Sequence, residues 1–174
     1  MSTSRPHASL ALALRPFRPD ADAPLLHRWI TSRAELVSWA GPAFTWPLDD
    51  TQLTAYAAEP GRHTWTAAPP DAPDAPAHPL GHVSVRGTRL GRVLIAPEAR
   101  GRGLGEALLT LAIDRAFGEL ALPSLDLGVY THNTRAIRLY EKLGFRRGQV
   151  LEDVEEVDGV RWSALQMRLD SPER

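Results

Sequence analysis

The stretch Val93-Leu94-Ile95-Ala96-Pro97-Glu98-Ala99-Arg100-Gly101-Arg102-Gly103-Leu104-Gly105-Glu106-Ala107 has the residue types of an anion-binding turn. A β-branched strand ends at Pro97, a loop rich in glycine and arginine follows, and a helix starts at once. Such a turn aims several unbonded backbone amides at one point, beside the positive end of the helix dipole. Alternating glycines let the backbone approach a bulky anion, and Arg100 and Arg102 add charge, so the matching guest is a phosphate or pyrophosphate. The dinucleotide fingerprint G-x-G-x-x-G is not met, because Gly101, Gly103 and Gly105 are evenly spaced and Glu106 takes the later place. A tight turn before a core helix accounts for the same loop without any ligand, and on this loop alone both readings stand.

A second constellation is Asn133-Thr134-Arg135-Ala136-Ile137-Arg138-Leu139-Tyr140-Glu141-Lys142-Leu143-Gly144-Phe145. Asn133 and Tyr140 are nearly two helical turns apart, which puts them on one face, roughly 10 Å apart along the axis. Taken singly, Asn133 reads equally as a plain N-cap and Tyr140 as a half-buried core tyrosine.

The elements that must position these groups follow from periodicity and turn residues. Leu10, Leu12 and Leu14 alternate with alanines and predict a first strand. Asp20 or Asp22 can cap a helix with Pro24 in its first turn and Leu25, Leu26, Trp29 and Ile30 on its apolar face. Asp49 and Gln52 predict a capping box for a second short helix, stapled by Leu48 and Leu53 and stopped at Pro60-Gly61. Strands are predicted over 64–68, 80–85, 90–95 and 125–129, and a long helix over 104–120 with Leu104, Leu108, Leu111 and Ala112 inward. A helix over about 133–142 ends at Gly144, and two last strands, about 145–157 and 161–169, meet at the hairpin signal Asp158-Gly159. The order predicts one α/β domain over 1–174: a mixed sheet of about seven strands, mostly antiparallel with one parallel crossover, flanked by about four helices. Residues 1–9 read as a disordered extension, 69–79 as an exposed proline-rich loop and 170–174 as a tail.

Composition narrows the function classes. The 174 residues include no cysteine, which excludes disulfides, thiolate metal sites and a cysteine nucleophile. Lys142 is the only lysine, so a P-loop or Schiff-base site elsewhere lacks its key residue. A formal net charge of −1 supplies no basic field for nucleic acid or anionic lipid. No stretch approaches the ~20 apolar residues of a membrane span. His78 and His82 are four apart, but Pro79 and Gly81 exclude the helical face that would pair them on a metal. The expectation is a soluble cytoplasmic protein with no metal.

Together, the two constellations resemble the acetyl-coenzyme A site of the GNAT N-acetyltransferase family. Arg100-Gly101-Arg102-Gly103-Leu104-Gly105 matches that family's R/Q-x-x-G-x-G/A loop, and Asn133, Ala136, Tyr140 and Gly144-Phe145 match its N-x-x-A-x-x-x-Y-x-x-x-G-F helix. The resemblance implies a fold and a set of roles. Loop amides from Gly101 to Glu106 would hold the pyrophosphate of coenzyme A. Backbone groups of Val93 and Ile95, with Leu94, would pair with the pantetheine arm as an added strand, and an amide there would face the thioester carbonyl. Asn133 would hydrogen-bond the pantetheine arm, and Tyr140, protonated at neutral pH, would donate to the departing thiolate. The reaction implied is direct transfer from acetyl-CoA to a primary amine of a small molecule or peptide, without an acyl-enzyme. A non-catalytic acyl-CoA-binding regulatory module is the alternative, against which Tyr140 weighs. A homodimer is compatible with either.

No base is assigned. Many family members carry a glutamate where Leu125-Asp126-Leu127-Gly128-Val129 stands here, and Gly128 takes its place. Asp126, His82, His132 and Glu98 are the other groups considered. Trp39, Phe44 and Trp46 lie where relatives close over the acceptor. They read either as a weakly charged aromatic lid suited to a small amine or peptide N-terminus, or as a hydrophobic plug between helices.

Overall fold

The computed structural model describes residues 11–70 and 79–172; the expectations for 1–9, and those for 71–78 within the proline-rich loop, fall outside them. Seven strands form one sheet: β1 (Ala13–Pro16), β2 (Arg62–Ala68), β3 (Gly81–Arg86), β4 (Arg89–Ile95), β5 (Ser124–Tyr130), β6 (Arg146–Val157) and β7 (Val160–Asp170). Their order is β1-β2-β3-β4-β5-β7-β6, antiparallel throughout except for the parallel pair β4–β5. This is the mixed sheet with a single parallel crossover that the pattern predicts. Asp170, expected in the tail, is the last residue of β7 and pairs with Ser124.

The described residues form five α-helices rather than about four: α1 (Pro19–Trp29), α2 (Arg33–Ala40), α3 (Asp50–Ala57), α4 (Leu104–Asp114) and α5 (Thr134–Lys142). The helix missing from the sequence reading is α2. Its signal was a capping box, Ser32-Arg33-Ala34-Glu35: Ser32 Oγ accepts from the Glu35 amide at 3.1 Å, and the Glu35 carboxylate accepts from the Thr31 amide at 2.6 Å. The helix is only eight residues long and carries Trp39 in its last turn, so its periodicity is weak.

Caps elsewhere follow the residue types with one exception. Asp49 caps α3, accepting from the Gln52 amide at 2.8 Å, but the Gln52 side chain turns back to Thr45 and Pro47 instead of closing the box. For α1 the expected cap at Asp20 or Asp22 is wrong, because the helix already starts at Pro19 after Arg18. Asp22 is buried and receives both arms of the Arg15 guanidinium at 2.8 Å, the Thr66 hydroxyl at 2.9 Å and the Arg18 amide at 2.8 Å. Burial alone would raise its pKa, but the Arg15 guanidinium and the other donors outweigh that and hold the carboxyl below its usual range. Asp22 therefore ties α1 to β1 and β2.

Helix α4 packs on β3 and β4 through the buried Leu104, Leu108, Leu109 and Ala112, with Leu111 only half-buried. The helical path runs on to Glu119 as expected, but its last turn widens: the Leu120 amide bonds the Arg115 carbonyl five residues back, at 3.0 Å. Leu108 and Leu125, both without exposure, sit in the single hydrophobic core. Truncating either to alanine costs about 2–5 kcal/mol.

Candidate active site

The site begins with a defect in the sheet. On the β3 side, β4 runs from Ser84↔Gly91 to His82↔Leu94, so β4 carries one residue more than its partner. Arg92 takes the strain of this bulge, with a left-handed φ of 55°. A bulge sharpens local twist and bends the strand. On the other side, β4 meets β5 at one register point, Arg89↔Asp126. Past it the two parallel strands diverge, and the edges of Val93, Leu94 and Ile95 that face β5 are left without a partner strand.

Two cavities open from this cleft. The smaller, about 550 Å³, is lined by Val93, Leu94, Ile95, Arg100, Gly101, Gly103, Leu104, Gly105, Glu106 and Asn133. All of these are residues singled out in the sequence. Gly103 is the N-cap of α4 with φ 75°, and a Cβ built on it would meet open space. The first intrahelical bond runs from the Ala107 amide to the Gly103 carbonyl at 3.3 Å. The amides of Leu104, Gly105 and Glu106 precede it and point free beyond the helix end. Arg100 and Arg102 fold back on the loop, donating to the carbonyls of Ile95 at 3.2 Å and Glu98 at 3.3 Å. Arg102 lines neither cavity. Arg135 of α5 does line the smaller cavity, a cation that the motif comparison did not single out.

Asn133 borders both cavities. Its Oδ1 caps α5 by accepting from the Ala136 amide at 3.2 Å, so the plain N-cap reading holds. Its amide nitrogen is not used by that cap. Tyr140 lines the larger cavity only, one turn after Ala136. It is buried, its ring set edge to face on Phe145 at 5.7 Å, and among the described residues nothing hydrogen-bonds its hydroxyl. Burial pushes its pKa up to about 12. Gly144, with φ 97°, closes the helix as expected.

The larger cavity, about 1010 Å³, lies toward the start of β4 and shares Ser38, Trp39, Val93, Asn133, Ala136 and Leu139 with the smaller. None of the four groups considered as bases lines it. His82 is 1% exposed, held in an aromatic cluster with Phe17 and Trp39, shares a 3.0 Å hydrogen bond with the Tyr56 hydroxyl, and burial drives its pKa down to about 3. Asp126 is engaged by Thr88 at 3.0 Å and Arg168 at 3.2 Å. His132 stacks on Tyr130, and Glu98 faces Arg28 at 3.8 Å. Gly128 does border the cavity, under the Arg89 guanidinium: a Cβ there would come within 2.8 Å of Nη2. The one carboxylate among the described lining residues is that of Glu155 on β6, which the sequence reading did not single out.

The aromatic segment divides: Trp39 borders both cavities, while Phe44 and Trp46 border neither. Trp39 is 8% exposed and stacks on Phe44 at 5.5 Å, while Trp46 stands 39% exposed and lines neither cavity. The pocket beside this weakly charged segment is itself strongly cationic, since Arg62, Arg86, Arg89 and Arg92 all line it. Three of them fall within residues 86–92 around the β3–β4 turn, and Arg62 joins them from β2.

The acetyltransferase (GNAT) family model matches residues 33–145, more than half of the chain. A mycothiol acetyltransferase of Kineococcus radiotolerans is 33% identical over 164 residues, covering 90% of this chain and 49% of that protein; the chain thus spans about half of that relative's length. A spermidine N(1)-acetyltransferase of Vibrio cholerae is 36% identical over 63 residues, 36% of each chain. A peptidyl-lysine N-acetyltransferase of Salmonella typhimurium is 32% identical over 68 residues, 39% of this chain and 43% of that protein. Among solved structures, the V. cholerae spermidine N-acetyltransferase in complex with CoA and spermine shares the fold, with a TM-score of 0.76 at 21% identity over 92% of this chain and 95% of that one.

Proposed function

The chain belongs to the acetyltransferase (GNAT) family, and on that premise we propose that it transfers the acetyl group of acetyl-coenzyme A directly to a primary amine of a small molecule or peptide, as one acetyltransferase domain. The observation that carries this reading is the meeting of two cavities at Val93 and Asn133: one lined by free amides and open glycines, the other by Tyr140.

The smaller cavity fits coenzyme A on the chain's own terms. The unbonded amides at the start of α4 form an anion cradle, and the open space above Gly101 and Gly103 admits a diphosphate. The partnerless edge at Val93–Ile95 suits an extended amide-bearing arm, which would pair there as an added strand. The free amide nitrogen of Asn133 would donate to the same arm. When bound, coenzyme A supplies the activated acyl group.

Within this reading each residue has a physical task. A backbone amide on the edge of β4 faces the thioester carbonyl and steadies the negative charge that grows on its oxygen. As the amine nitrogen bonds the carbonyl carbon and the carbon–sulfur bond breaks, Tyr140 gives its proton to the leaving sulfur. With its pKa at about 12, the tyrosine holds that proton throughout the neutral range. Glu155, across the larger cavity, receives the amine proton, directly or through water. The acceptors named for similar proteins, spermidine and peptidyl-lysine, share the one feature required here, a primary amine.

Incubating the protein with acetyl-CoA and a broad amine panel, with release of free thiol as readout, tests the proposal. Acceptor-dependent thiol release supports acetyl transfer. Tight coenzyme binding with no release on any amine would instead identify a non-catalytic acyl-CoA-binding module.

A further inference from the structure

The walls of the larger cavity carry an arrangement that amine acetylation by itself does not require. Arg62 on β2 lies directly opposite Arg86 on β3, and Arg86 directly opposite Arg89 on β4. Like charges facing each other across strands destabilise a sheet. Glu59 offsets part of this, meeting Arg62 at 2.7 Å and Arg86 at 3.5 Å, so one carboxylate serves two guanidiniums. Arg89 has a neutral partner, the Gln166 side-chain Oε1 at 2.9 Å.

Arg92 goes further. It occupies the strained bulge position, and its side chain is half-buried against the cavity floor. Its guanidinium carbon lies 5.7 Å above the Phe44 ring and 6.0 Å from that of Tyr56. Among the described residues no carboxylate pairs with it, and its buried Nε has no hydrogen-bond partner. A cation drawn out of water with one donor unsatisfied is costly unless something completes it. Ring faces offset part of that, and an anion held by the cavity-facing end of the guanidinium would offset more, although it would not reach the buried Nε itself. Arginine's planar fork suits a carboxylate or phosphate.

We propose that the acceptor of this enzyme is an amine whose own scaffold carries a carboxylate or phosphate: Arg92 and Arg89 receive the anion, and Glu155 faces the amine. This rests on the acetyl-transfer reading and narrows it. With Arg62 and Arg86 shared by Glu59, Arg89 and Arg92 are left to receive the anion and Glu155 to face the amine, whereas a polyamine would set its further ammonium groups against those two guanidiniums.

The test uses matched pairs, the C-terminally amidated dipeptides Glu-Glu and Gln-Gln, and phosphoethanolamine and ethanolamine, with spermidine as the polycation. Each is titrated calorimetrically into the CoA-saturated protein and separately assayed for thiol release with acetyl-CoA. In at least one pair the anionic member should bind about tenfold or more tightly than its neutral counterpart, and the pair that discriminates tells carboxylate from phosphate. Arg92→Gln and Arg89→Gln should each cut that ratio to about threefold or less; the exposed Arg89 keeps the test available should the Arg92 variant fail to fold. Equal binding within both pairs, tighter binding of spermidine, or a ratio that survives in both variants overturns the proposal. Selective anion binding without thiol release on any amine upholds the anion site and overturns acetyl transfer. Thiol release without anion preference does the reverse.

Discussion

The amide of Phe145 donates to the carbonyl of Tyr140 at 3.0 Å, and the rings of the same two residues meet edge to face at 5.7 Å. One local motif thus ends helix α5 and fixes the ring that it carries. The bond from Phe145 and that from the Gly144 amide to the Glu141 carbonyl, also 3.0 Å, satisfy carbonyls that the helix end would leave orphaned. The Tyr140 hydroxyl, hydrogen-bonded by none of the described residues, is left available at the cavity wall.

Tyr140→Phe should therefore lower kcat by about 10²-fold while changing coenzyme affinity by no more than about twofold. The ring and its packing on Phe145 are retained, so thermal stability should hold. Steady-state kinetics beside calorimetric titration of CoA checks this; equal losses in kcat and affinity would deny Tyr140 the acid role.

Replacing Gly103 by leucine should weaken coenzyme binding by about tenfold or more, for two reasons. The position needs φ 75°, which costs an ordinary residue about 1–2 kcal/mol, and the new side chain would fill the space open above the loop. Titration of CoA into the variant, with circular dichroism to confirm the fold, is the measurement. Undiminished affinity would make the loop a structural turn only.

Glu155→Gln should depress kcat/KM at neutral pH by about 10²-fold, the usual size of a lost general base. The loss should shrink at alkaline pH, where the acceptor amine deprotonates in solution and no longer needs the carboxylate. A pH–rate profile of both proteins distinguishes this from a purely structural defect, which would lower the curve equally at every pH.

His82 makes stability fall as the medium turns acidic. In the unfolded chain its pKa is 6.5, and in the fold burial holds it near 3. The unfolded state thus binds one proton more between those values. The contribution is complete above pH 6.5 and declines as pH falls toward 3, at about 1.4 kcal/mol per pH unit. Urea unfolding at pH 7 and pH 5 should differ by about 2 kcal/mol from this group, and His82→Gln should flatten that difference. A slope unchanged in the variant would assign the acid sensitivity to other groups.

Local chemistry was written plainly in the sequence. The Asp158-Gly159 hairpin forms with both residues at positive φ, 51° and 79°, Asn133 caps α5, and the glycines of the 101–105 loop open a helix whose first amides are free. Each of these depends on residues within a turn of one another, where side-chain type alone dictates backbone geometry. Even α2 is legible in its cap, where Ser32 accepts from the Glu35 amide.

The acceptor side was not legible, because no local pattern encodes it. Arg62, Arg86, Arg89 and Arg92 converge only once strand register is fixed, and a slip of one residue would send each row to the opposite face. His82, a plausible base on its residue type, became a core residue when Tyr56 and Trp39 closed over it. Glu155 reaches the cavity from β6, a strand that joins the sheet only through β7. Coenzyme recognition is built from short-range backbone geometry and so was readable along the chain, whereas the acceptor side sets Arg62 of β2 and Glu155 of β6 around the arginines of the 86–92 hairpin, an arrangement that only the assembled sheet produces.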